Sequence, residues 1–315
     1  MRTELSDEAL DYGRVASRAF ESAGGDRLVQ AAEREPDRRA EIVDPVFAEL
    51  GAWDLRPRAD VDELEAAAAL CRSAGYWAVA YPVAERLARP ADLDADALVV
   101  IADSRPAASA VGLDLRWVAV TLGGERSVAR ATSSASPRTS GFVTDLELEP
   151  IDAAGEQDVA LGLTLPCWTL LGMLDRAIDL TRRHVLAREQ FGQPLAALQG
   201  VQFQLTDAEV ERSGLEMLAR YALWTIERGH PDAVTDALAL RMASIEAAET
   251  VLRVAHQLHG ATGFCDETTL SWISRYSQPL RRLPFGLSAT RDHLVRMAGR
   301  HGLTGLFGAA RPEVG

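Results

Sequence analysis

Arg188-Glu189-Gln190-Phe191-Gly192-Gln193-Pro194, running on into Gln199, Gln202, Phe203 and Asp207, is the stretch whose reading decides the fold. Its approach carries apolar residues at three- and four-residue spacing, which predicts a helix over about 158–187 bearing His184 near its end. Gly192 is expected in the left-handed conformation that closes a helix, with Pro194 stopping it. An arginine beside an aromatic ring at such a turn suits a pyrophosphate and a flat ring. The plain alternative is a solvated Arg188 and a core Phe191.

A second stretch lies further along: Gln257-Leu258-His259-Gly260-Ala261-Thr262-Gly263-Phe264. Here a helix over about 233–258 runs into a Gly-x-x-Gly turn. Glycines allow a ligand or another backbone to approach closely, and exposed amides can hold an anion. Taken alone it reads as an ordinary helix terminator. Around these two stretches further helices are expected at about 195–228 and 286–299, with a short one near 267–276. Long antiparallel helices with short connections read as a four-helix bundle.

Upstream the pattern changes. ALVVIAD, DLRWVAVTL and SGFVTDLELEP are short, β-branched or alternating stretches, with a hairpin turn at Leu122-Gly123-Gly124-Glu125 and a loop at 133–141. After Pro150 everything reads as helix. Before the β segment, Ser6 is placed to cap a helix whose apolar positions are Leu10, Val15, Ala19 and Phe20. Asp60 to Ala88 reads as continued helix, ended by Arg89-Pro90. The expected division is 1–92 N-terminal helical domain, 93–152 reduced β domain and 153–315 C-terminal helical bundle. The fold class is therefore mainly α with a small central β domain. The tail GAARPEVG is expected to fray.

Composition narrows the chemistry. The 315 residues hold 33 basic against 46 acidic side chains, a net charge of −13, and every basic one is arginine; lysine and asparagine are absent. A Schiff-base lysine, a phosphate-loop lysine and an asparagine-containing triad are thereby excluded. The acidity argues against a nucleic-acid groove or a polybasic membrane anchor. No apolar run approaches a membrane span, and no leader pattern opens the sequence. Three cysteines, Cys71, Cys167 and Cys265, lie far apart without CxxC spacing, so a reduced, cytoplasmic protein is expected, with Cys265 a buried bystander. His256 and His259 stand three apart on one helix, but no carboxylate is placed to complete a metal set.

Together the two stretches resemble the C-terminal domain of the acyl-CoA dehydrogenase family. There the first reads R-x-Q-F-G-x-P before a Gln-rich helix. The second reads Q-x-x-G-G-x-G-F before an acidic residue and an arginine, here Glu267 and Arg275. The resemblance covers roughly 155–280, and the order helical, β, helical fits that family's architecture. SGFVTDLELEP looks like the last strand and exit of its middle domain. The resemblance implies FAD as cofactor. It assigns Arg188, Gln190 and Phe191, with Gln257, Gly260 and Gly263, to the ADP part of an FAD bound mainly by a neighbouring subunit. Ala261 stands where the family usually has its second glycine.

The departures are as informative. The family's catalytic carboxylate position falls at Pro284, and the alternative position near the start of the first bundle helix falls close to Gly162, with Asp158 a turn away. Neither holds an acid, so no catalytic residue is assigned. The strand motifs that hold the isoalloxazine find no match, and Trp117 is expected in the core. The resemblance therefore implies the short subunit of an actinobacterial α2β2 acyl-CoA dehydrogenase acting on CoA thioesters of steroid side chains. A full-length partner would supply the base and most of the flavin site. Two alternatives stand beside it: a redox-inactive homo-oligomeric scaffold, and an independent oxidoreductase using Asp292 or His293.

Overall fold

The computed structural model describes residues 4–102, 105–132 and 142–301. Ser6 caps helix α1 (Asp7–Ser22), its hydroxyl accepting from the Ala9 amide at 3.3 Å. The buried face of α1 is Ala9, Gly13, Ala16 and Phe20, so of the expected apolar positions Phe20 is buried while Val15 is 45% exposed. Small residues win that face because α4 lies close against it: Ser73 donates to the Gly13 carbonyl at 2.8 Å. Helices α2 (Asp26–Arg34) and α3 (Arg39–Glu49) follow.

Asp60 caps α4 (Val61–Tyr76), its carboxylate accepting from the Asp62 and Glu63 amides. The run to Ala88 is not continuous, contrary to the sequence expectation. It breaks at Ala78, which takes a positive φ of 47°, and resumes as α5 (Val83–Leu87) behind Pro82. An apolar, alanine-rich segment masks such a break, because its composition favours helix on both sides.

Five strands make the β segment: β1 (Ala97–Val100), β2 (Ala107–Ala108), β3 (Trp117–Val120), β4 (Glu125–Ala131) and β5 (Thr144–Ala154). Their order is β1-β3-β4-β5-β2, with β1 parallel to β3 and the other neighbours antiparallel. The Gly123-Gly124 turn joins β3 to β4 as expected. Alternation sets the two faces: Leu98, Val100, Val118 and Val120 join the main core, while Val99, Ile101, Trp117 and Ala129 form a smaller cluster on the other side. Strand β5 continues past Pro150, which pairs opposite Ser127 beside a register shift in β4. That corrects the expected helical start there. The loop at 133–141 and the tail beyond 301 fall outside the described residues.

The bundle consists of α6 (Glu156–Ala187), α7 (Gln199–Glu227), α8 (Ala233–His259) and α10 (Leu287–His301), with α9 (Thr269–Arg282) longer than its sequence pattern suggested. Helix α6 is the axle, touching α4, α7, α8 and α9. Where α4 crosses α6, a Cβ on Gly75 would lie 1.9 Å from the Thr169 carbonyl oxygen, and one on Gly172 would lie 1.8 Å from that of Arg72. The helices meet backbone to backbone, and one core runs from the N-terminal helices into the bundle. Arg72 locks the same crossing, reaching Asp175 at 2.6 Å and Glu216 at 2.9 Å. Among the described residues no helix is long and apolar enough to cross a membrane.

Candidate functional site

The first stretch is not a helix cap but a hairpin. Helix α6 ends at Ala187, and Arg188 turns extended. Strands β6 (Glu189–Gln190) and β7 (Gln193–Pro194) then pair antiparallel, leaving Phe191 and Gly192 as the two turn residues. Both have positive φ, 55° and 78°, as a two-residue hairpin of the type I′ class demands. Glycine takes that conformation freely; for Phe191 it costs about 1–2 kcal/mol. A strained, non-glycine turn residue directs attention to function. Phe191 is 88% exposed, which removes the core-Phe reading.

The second stretch ends α8 at His259, and Gly260 to Phe264 forms a 3-10 turn. Gly260 has φ 61° with open space where a Cβ would point, while Gly263 is buried and a Cβ there would come 2.9 Å from the His259 Cβ. Gln257 is exposed. Cys265 is exposed too, contrary to expectation, because the turn carries it outward past the end of α8.

Two imidazoles bring these stretches together. His184, one turn before Arg188, stacks on His259 with ring centroids 4.4 Å apart. Burial, the neighbouring His259 and then the Arg188 charge hold the His184 imidazole below its ordinary value. His256 faces elsewhere, stacking on Phe264 at 4.3 Å, so the two α8 histidines do not converge on a common point. The outcome is one end of the bundle where Arg188, Gln190, Phe191, Gln257 and Gly260 are exposed, with Gly263 beneath them. Leu186, Phe203 and Phe264 add exposed apolar surface, 57, 60 and 69% exposed. Arg275 pairs with Asp266 at 3.1 Å and lies over Trp272, leaving Glu267 aside.

A cavity of about 100 Å³ opens where α3, α5, the sheet and α9 meet α6. Gly162 and Pro284, far apart in the chain, both line it. Asp158, the nearest acid in sequence, does not. It is buried against Arg126 at 2.7 Å and Arg58 at 3.0 Å. Neither Asp292 nor His293 reaches the cavity; Asp292 is exposed and the His293 ring lies 4.8 Å from Phe285. The acid that does line it is Glu85, on α5, whose carboxyl burial pushes up to about 7. Sequence reasoning passed over Glu85, because a single acid in a helical turn carries no spacing signal. It also missed Arg39 and Arg241, which line the same cavity.

Residues 164–286 match the acyl-CoA dehydrogenase C-terminal domain family. Acyl-CoA dehydrogenase FadE27 of Mycobacterium tuberculosis is 30% identical over 178 residues, covering 50% of this chain and 46% of that protein. Acryloyl-CoA reductase (NADH) of Anaerotignum propionicum is 32% identical over 105 residues, covering 33% of this chain and 26% of that protein. The chain thus spans less than half the length of these relatives. Among solved structures, a variant of the Tcur3481-Tcur3483 steroid ACAD superposes with TM-score 0.76 at 18% identity, covering 94% of this chain and 99% of that one. The ChsE4-ChsE5 complex from Mycobacterium tuberculosis gives 0.71 at 16% identity, covering 95 and 99%. The hairpin and the glycine turn both lie inside the stretch that matches the acyl-CoA dehydrogenase C-terminal domain, and the chain as a whole shares the fold of these solved structures.

Proposed function

We propose that the chain is a subunit of a heteromeric FAD-dependent acyl-CoA dehydrogenase. It contributes the cross-subunit edge of the FAD site, while a full-length partner supplies the catalytic base. The observation that carries this is the pairing of a well-formed cofactor edge with an acid-free pair of base positions: Phe191 is held strained and 88% exposed, whereas Gly162 and Pro284 line the central cavity without a carboxyl group.

The donor set fits the outer half of a flavin dinucleotide. Arg188 offers the charge for a pyrophosphate, Phe191 a free ring face, Gln257 an amide, and Gly260 an approach that no side chain blocks. The chemistry FAD supplies when bound is acceptance of the hydride leaving the β-carbon of a CoA thioester. The residues of this chain bind and orient; none of them is given a proton to move. The exposed apolar side chains around Arg188 exclude water once a second subunit covers them. The two fold neighbours that are complexes of two different chains support a heteromeric assembly, which we propose is α2β2, and the substrate class we propose is a steroid side-chain CoA thioester.

The test is co-expression with a neighbouring full-length acyl-CoA dehydrogenase. The expected product is a yellow complex that oxidises an acyl-CoA, with the chain alone colourless. Stoichiometric FAD and acyl-CoA oxidation by the isolated chain would overturn the reading. So would a colourless homo-oligomer that gains no flavin from any partner.

A further inference from the structure

The central cavity holds two positive charges that the subunit reading does not use. Arg39 is fully buried at the start of α3, and Arg241 is 2% exposed on α8; both line the cavity. No carboxylate among the described residues lies within ion-pair distance of either. Arg39 donates Nη2 to the Ser109 carbonyl and stacks over Phe142 at 4.6 Å, but its Nε finds no acceptor. Arg241 donates to the Leu280 and Phe285 carbonyls at 3.1 and 2.7 Å, and its Nε is likewise unpartnered. Buried guanidiniums elsewhere in this protein reach carboxylates, Arg126 to Asp158 and Asp92, Arg176 to Asp26 and Arg220 to Glu216, although Arg176 and Arg220 also keep an Nε without an acceptor. Buried charge left unpaired is costly, so its persistence at one cavity calls for an anion.

The remaining walls say which anion. Val83, Val99, Leu163 and Met173 are apolar, so the charged groups share the space with apolar wall. A phosphate or sulfate would leave that apolar surface dry and unfilled. A neutral acyl chain would leave the guanidiniums unmatched. We propose that this cavity binds a small carboxylate with a short apolar body, its carboxylate on the Arg39 guanidinium. Glu85 lines the same space, so its charge opposes that of a bound carboxylate. The inference shares its cavity with the subunit reading but rests on Arg39 rather than on the acid-free positions Gly162 and Pro284.

The carboxylate could arrive as a free acid or as the far end of a carboxyacyl thioester, and one titration series separates these. The full-length chain is titrated calorimetrically with hexanoate against hexanamide, and with the glutaryl against the butyryl thioester of N-acetylcysteamine. The expected result is at least roughly tenfold tighter binding of the charged member in one pair or both, and which pair responds identifies the source. Arg39→Gln should bring that ratio close to one. Glu85→Gln, which removes the opposing charge, should raise it several-fold, so a variant of opposite sign remains if Arg39→Gln fails to fold. Charged and neutral members binding alike, neither binding, or a ratio unmoved by both substitutions would each overturn the assignment.

Discussion

Asp158→Ala tests whether the acid nearest the first-helix base position serves structure or chemistry. Asp158 is 1% exposed and lies between Arg126, 2.7 Å away with a fully buried side chain, and Arg58 at 3.0 Å. Removing one partner of a buried pair costs about 3–5 kcal/mol, because the remaining charge stays desolvated. Here Arg126 keeps two contacts to Asp92, at 2.6 and 3.1 Å, and Arg58 keeps the Ala88 and Gln157 carbonyls. Those contacts place the expected loss at the low end, about 3 kcal/mol. At about 2 °C per kcal/mol for a chain this long, the thermal midpoint should fall by roughly 6 °C, read by circular dichroism on the full chain. Replacing both partners with apolar residues, Arg126→Met with Asp158→Leu, should recover a large part of the loss, since an apolar pair needs no desolvation. A midpoint within about 1 °C of the parent would refute the structural assignment. So would normal stability with lost turnover in the assembled complex, which would put Asp158 at the substrate.

Three further outcomes are expected. Gly75→Ala or Gly172→Ala places a methyl group under 2 Å from a backbone carbonyl oxygen, so each should cost about 3 kcal/mol or more in urea unfolding; a change below about 1 kcal/mol would mean α4 and α6 can separate freely. Phe191→Ala should leave stability within about 0.5 kcal/mol while weakening flavin retention by the co-expressed complex roughly tenfold, and unchanged retention at dilution would remove Phe191 from the cofactor edge. Glu85 holds its proton more tightly folded than unfolded, with burial the main cause and the Arg39 charge acting against it. Its contribution to stability therefore declines as pH rises from about 4.5 to about 7. Glu85→Gln should gain about 3 kcal/mol on the parent across that window, whereas a pH-independent difference would contradict the burial of that carboxyl.

The sequence is legible where the physics is local. Ser6 and Asp60 announce their helices because a cap acts over three residues. The bundle helices are legible because each carries its own period. The Phe191-Gly192 turn shows the limit: a helix end and a two-residue hairpin both want a left-handed glycine, and only the pairing of Gln190 with Gln193 separates them. Val15 and Cys265 were misjudged for a related reason, since the face a residue presents depends on what crosses its helix or turn. Of the candidate site, the edge proposed to hold the cofactor is visible as two motifs. The central cavity is not, because Arg39, Glu85 and Arg241 come from three different helices and share no spacing.

The glycine crossing of α4 and α6 carries a practical consequence for anyone dividing this protein. Similarity to relatives is concentrated in the C-terminal stretch, which invites its expression as a separate piece. Yet Gly172 on α6 is moulded to the backbone of α4, and Asp175 and Glu216 are neutralised by Arg72 from that same helix. A fragment beginning at α6 would present a long apolar furrow to water, and Asp175 would keep only the more distant Arg212, at 3.4 Å. The part that can be aligned and the part that can fold are thus different objects, and a soluble preparation needs the N-terminal helices even though they carry none of the recognisable motifs.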